Sequence, residues 1–134
     1  MVSWNWQLRR LALMFALASA WPVSALACRC TEPSRMQSYR QASGIVLGTV
    51  EAVRSLSEFN TFFDFTVDEA WKMKVGDRLT IRSGGTCIYR VEVGKKYLLF
   101  LSPYTPGTYQ TNVCMGSQTA EEAGAMLRFL RRAR

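Results

Sequence analysis

The strongest constraint in this sequence is the placement of its four cysteines, Cys28, Cys30, Cys87 and Cys114. All of them follow a stretch that reads as a cleaved leader. Arg9-Arg10 opens into the apolar run Leu11 to Trp21, which is followed by Pro22 and the small-residue sequence Ser24-Ala25-Leu26-Ala27. Basic residues, an apolar core and an Ala-x-Ala site are the three parts of a secretory signal peptide. The apolar run is well short of the about 20 residues that a transmembrane helix needs. Residues 1–27 are therefore expected to be a signal peptide and residues 28–134 the working domain. Removing 27 residues from 134 leaves 107, beginning at Cys28.

An even number of cysteines in a small exported domain reads as two disulfides. Structural zinc sites use Cys-x2–4-Cys pairs, whereas this chain has one Cys-x-Cys and two isolated cysteines far downstream. A Cys28–Cys30 bridge would close a very tight ring. The expectation is two long-range bridges that staple the amino end to the body of the fold, with spacing leaving the choice of partners open. Each would close a loop of roughly 50–90 residues, worth about 4 kcal/mol in the loop-entropy model before overlap is discounted.

Beyond the staple the chain reads mostly as strands. Residues 43–53 carry Ile45, Val46, Leu47, Val50 and Val53, with Gly48 placed as at a barrel bend or bulge. Residues 62–71 alternate, with Phe63, Phe65 and Val67 on one face and Asp64, Thr66 and Asp68 on the other. Arg78 to Arg82 alternates again, and 83–86 reads as a loop delivering Cys87. Ile88 to Val93 and Tyr97 to Leu101 are expected to pair as a hairpin around Gly94-Lys95-Lys96. Residues 103–107 read as a loop and 108–114 as a short strand. Thr119 with Glu122 forms a capping-box pattern, so Thr119 is expected to N-cap a terminal helix whose apolar face is Ala123, Met126, Leu127 and Leu130. The fold class is mainly β: a small closed Greek-key barrel of five to six strands with a C-terminal α-helix and two disulfides.

Composition narrows the function. The chain contains no histidine, which excludes Ser-His and Cys-His catalytic arrangements and imidazole metal sites. Asp64, Asp68 and Glu69 do not make an acid–base pair, since alternation puts Glu69 on the opposite face. No enzyme activity, cofactor or resident metal is expected. Loss of Arg9 and Arg10 lowers the formal charge from +7 to +5. OB barrels can bind single-stranded nucleic acid on cationic, aromatic grooves. Here the aromatics Phe59, Phe62, Phe63, Phe65 and Trp71 read as core and the terminal arginines as a solvated helix end, so no nucleic-acid partner is expected. Acylation of Cys28 as in bacterial lipoproteins is disfavoured: Ala25 stands where the lipoprotein signal usually has Leu, and three remaining cysteines would leave an odd thiol.

These features together resemble a family. The residues are Cys28-x-Cys30 at the cleavage point, Ala42-x-x-Ile45-Val46-x-Gly48-x-Val50, Trp71-Lys72 closing an aromatic strand, Gly84-Gly85-Thr86-Cys87, Tyr97-Leu98-Leu99-Phe100, and Thr111-x-x-Cys114 ahead of a helix. In this order they resemble the tissue inhibitor of metalloproteinases family and its netrin-like module, as a single-domain, bacterial-type member. The resemblance implies an OB-fold with bridges Cys28–Cys87 and Cys30–Cys114. It implies that the α-amine and carbonyl of Cys28 chelate the catalytic zinc of a target metalloprotease. Arg29 would then enter the specificity pocket, and Cys30, Thr31 and Glu32 would run along the cleft. Gly85, Thr86 and Cys87 would form a second contact ridge. The family usually has a small hydroxyl or apolar residue where this chain has Arg29, and a long cation in an apolar pocket carries a large desolvation cost. The alternative is a non-inhibitory netrin-like interaction module. Either way the expected product is a secreted or periplasmic monomer.

Overall fold

A computed structural model describes residues 28–134. The leader expected over residues 1–27 lies outside the described residues. After an irregular segment, the chain forms α1 (Arg35–Gln41), β1 (Gly44–Ser57), β2 (Asn60–Trp71), β3 (Arg78–Gly84), β4 (Lys96–Thr105) and β5 (Thr108–Thr111). A 3-10 turn (Val113–Met115), the two-residue β6 (Gln118–Thr119) and α2 (Gly124–Arg132) complete it. The strand order is β1-β2-β3-β5-β4, closed by a further β1–β4 pairing, with β6 added on β4. The β3–β5 pairing is parallel and the others are antiparallel. This is the expected OB-type Greek-key barrel, mainly β, with a C-terminal helix and two disulfides.

Two apolar clusters explain the sequence pattern. The barrel interior holds Val46, Val50, Phe63, Phe65, Ile81, Tyr97, Leu99 and Leu101. A second cluster joins Ile45, Leu47, Trp71, Leu98 and Phe100 to Ala123, Met126 and Leu130 of α2. β1 and β4 are thus covered on both faces, which is why Ile45-Val46-Leu47 and Tyr97 to Leu101 are unbroken apolar runs rather than alternations. The expected apolar face of α2 is the one that packs. Gly48 sits at a register shift between β1 and β2, where a Cβ would collide with the Thr66 carbonyl oxygen and the Phe65 ring. The close strand crossing there requires glycine.

Five local readings are corrected. Residues 88–93 form no strand, because β4 is paired with β1 on one side and with β5 and β6 on the other. Instead Tyr89 and Val91 pack against the barrel interior, and the Gly94 N–H donates to the Val50 carbonyl at 2.8 Å. β3 continues through Ser83 and Gly84, while β4 extends through Thr105 and takes in much of the expected 103–107 loop. β5 stops at Thr111, so Cys114 lies in the 3-10 turn rather than on a strand. Thr119 accepts the Glu122 N–H at 3.3 Å, but its own backbone belongs to β6, so a turn intervenes and Ala123 is the N-cap of α2.

Helix α1 was not anticipated. Its capping box is complete: the Gln37 N–H donates to Ser34 Oγ at 3.2 Å, and the Ser34 N–H donates to Gln37 Oε1 at 2.9 Å.

Candidate functional site

The four cysteines converge on one end of the barrel. Cys28 is bonded to Cys87 and Cys30 to Cys114, with Cα–Cα separations of 5.1 and 5.4 Å. The irregular segment from Cys28 to Ser34 is thereby pinned at two points two residues apart, Cys28 and Cys30. Arg29, Thr31 and Glu32 are exposed along it, and Gly85 and Thr86 are exposed beside Cys87. The structure therefore brings the amino-terminal residues 28–32 and the 85–87 loop together into one surface.

Each anchor is positioned by backbone bonds. Asn112 Oδ1 accepts the Cys114 N–H at 2.9 Å, and the Val113 N–H donates to the Cys87 carbonyl at 3.0 Å, so the two downstream cysteines are tied to each other. Ser117 Oγ accepts the Phe100 N–H at 2.9 Å and contacts Thr111 Oγ1 at 2.7 Å, which anchors the turn around Cys114 to β4 and β5. Gly116 has φ 94° and lies so close to Ser38 of α1 that a Cβ would meet the Ser38 hydroxyl. This contact packs α1, and with it the amino-terminal segment, against the Cys114 turn. Lys72, with φ 65°, donates from Nζ to the carbonyls of Tyr39 and Ala42, clamping the carboxyl end of α1 to the end of β2. A cavity of about 420 Å³ lies behind the ridge, bordered by Cys30, Pro33, Ser38, Gly116 and Met126.

The structure also adds residues to this surface beyond those expected from the sequence. Gly85, with φ 81°, donates its N–H to the Phe59 carbonyl at 2.9 Å, so the β1–β2 hairpin tip adjoins the 85–87 loop. At that tip Leu56 is 70% exposed and Phe59 55%, while Val113 next to Cys114 is 40% exposed. Of the aromatics expected in the core, Phe63, Phe65 and Trp71 are buried, Phe62 is half-buried and Phe59 is exposed. The available signal was the Ser57-Glu58-Phe59-Asn60 turn chemistry, which places Phe59 at a hairpin end rather than inside a strand.

The carboxylates are kept apart. Asp64 pairs with Arg54 through two bonds of 3.0 and 3.2 Å, Asp68 with Lys96 at 2.9 Å, and Glu69 with Arg131 at 2.7 Å. The Glu69 contact also raises the Arg131 pKa above its ordinary value. Among the described residues, the one cluster of potential metal ligands is Cys28, Cys30 and Cys114, whose sulfurs are held in the disulfides. No helix among the described residues is long and apolar enough to cross a membrane. No family model matches the chain, and no curated protein does.

Proposed function

We propose that this chain is an exported inhibitor of zinc metalloproteases. Cleavage after Ala27 would make Cys28 the first residue, and its α-amine and carbonyl oxygen would bind the catalytic zinc of a target enzyme and displace its water. The observation that carries this reading is the double pinning of residues 28–30 to Cys87 and Cys114 beside the exposed Gly85 and Thr86. A segment fixed in this way loses little conformational entropy when it enters a cleft. An α-amine with a pKa of about 7.7–8 gives up its proton to a metal at small cost near neutrality. Exposed Leu56, Phe59 and Val113 flank the ridge and supply apolar contact around it. Two disulfides suit an oxidising compartment, secreted or periplasmic.

Arg29 selects the target within this reading. It is exposed between the two bridged cysteines, and a pocket that receives it must carry a carboxylate to offset desolvation of the guanidinium. The expected partner is a metalloprotease with an acidic specificity pocket. Arg29→Thr shifts inhibition towards enzymes with apolar pockets; unchanged or weaker inhibition of those enzymes removes residue 29 from the pocket.

The deciding experiment adds one alanine before Cys28. Inhibition of a susceptible metalloprotease is expected to vanish while circular dichroism and both bridges stay intact. Persistent inhibition overturns chelation by the amine. The exposed apolar hairpin tip favours a second reading, a netrin-like protein-interaction module; retained partner binding by the alanine-extended chain identifies it.

A further inference from the structure

The two bridges touch each other: Cys28 Sγ lies 3.8 Å from Cys114 Sγ, a sulfur of the other disulfide. The sulfurs of Cys28, Cys30 and Cys114 all lie within 4.8 Å of one another, and Cys87 is bonded to Cys28. Cys30 is the exposed residue of the four, the other three being half-buried, and exposed Arg29 stands between the first two. A thiolate generated at one bridge therefore has a sulfur of the second bridge at van der Waals distance. Thiol–disulfide exchange needs access, a thiolate and a neighbouring disulfide sulfur.

We infer that Cys28, Cys30, Cys87 and Cys114 form a single redox site, at which a dithiol reductant opening one bridge rearranges both. One reductant thiolate attacks the exposed Cys30 sulfur, forms a mixed disulfide and expels Cys114 as a thiolate. The second reductant thiol resolves the mixed disulfide, leaving the reductant oxidised to its disulfide and Cys30 as a thiol. The Cys114 thiolate then attacks the Cys28 sulfur 3.8 Å away, forming Cys28–Cys114 and expelling the Cys87 thiolate, which takes up a proton. Two electrons have entered, one bridge remains, and it joins residues that were not partners. The exchange step itself transfers no net electrons.

The consequence falls on the ridge. With Cys87 released, the 85–87 loop loses its covalent tie to residue 28, and Cys30 loses its anchor. Only this functional consequence rests on the inhibitor reading; the exchange does not.

The test treats the cleaved protein with less than one equivalent of dithiothreitol, traps free thiols by rapid alkylation, and maps bridges by peptide mass spectrometry. The expected one-bridge species carries Cys28–Cys114, with labels on Cys30 and Cys87. A one-bridge fraction that holds only Cys28–Cys87 with labels on Cys30 and Cys114, or only Cys30–Cys114 with labels on Cys28 and Cys87, and no Cys28–Cys114, means that the bridges act independently and overturns the inference. Cys30→Ser provides a second route by leaving a permanent Cys114 thiol. A mixture of Cys28–Cys87 and Cys28–Cys114 is expected, interconverting at a rate independent of protein concentration, whereas Cys28–Cys87 alone counts against exchange. Both measurements read bridges, so a failure of protease inhibition leaves them interpretable.

Discussion

At the scale of single residues, burial and close approach set the outcomes. Tyr89 is half-buried against Tyr97, their rings 6.0 Å apart and nearly perpendicular, and its pKa is pushed up to about 12, first by burial and then by Tyr97 and Glu122. The folded state therefore holds the phenol proton more tightly than the unfolded chain. The resulting stability is complete below about pH 10 and is lost as pH rises from there towards about 12. Absorbance at 295 nm should show a late phase of tyrosine ionisation that Tyr89→Phe removes. Gly48→Ala places a methyl against the Thr66 carbonyl and the Phe65 ring, and overpacking of this kind costs about 1–3 kcal/mol. A lower urea midpoint with an unchanged slope would show it. Gly48 was legible in sequence because a glycine inside a β-branched run signals a bend. The surface role of Phe59 was not, since an aromatic beside alternating aromatics looks like core until the turn is located.

Elements were legible where one period dominates and obscure where tertiary pairing decides. The α2 stripe was readable because Ala123, Met126 and Leu130 repeat at helical spacing and meet Trp71, Leu98 and Phe100. The missing hairpin at Ile88 to Val93 shows the converse: its apolar residues fit a strand, but no edge of β4 is free to receive one. Helix α1 escaped notice because it is seven residues long and mostly polar, although Ser34-x-x-Gln37 carried its signature. Ser34→Ala removes the side-chain cap and is expected to cost about 1 kcal/mol. Amide exchange should report this locally, with faster exchange at the Ser38 and Ala42 N–H groups, which donate to the carbonyls of Ser34 and Ser38. Barrel amides between β1 and β4 should be unaffected, because the cap touches neither strand.

For the whole molecule, the barrel class followed from strand count and the terminal helix, and the existence of two bridges from the even cysteine count. Which cysteines pair was beyond spacing alone, because the answer depends on where β3 and β5 end. The parallel β3–β5 pairing places those ends side by side, at Gly84 and Thr111, and so delivers Cys87 and Cys114 to the same rim. Replacing Cys28 and Cys87 together by serine opens a loop with a sequence separation of 59 and should destabilise the fold by about 2–4 kcal/mol in chemical denaturation. An undiminished midpoint would mean that the barrel alone orders its rim. The same arrangement has a temporal side. Synthesis proceeds from the amino end, so Cys28 and Cys30 exist long before either partner, and Cys87 appears with two thiols competing for it. Cys114 arrives last of the four, 84 residues after Cys30, once strands β1 to β5 have been made and ahead of β6 and α2. The rim that residues 28–30 begin is thus closed only after the barrel strands beneath it exist.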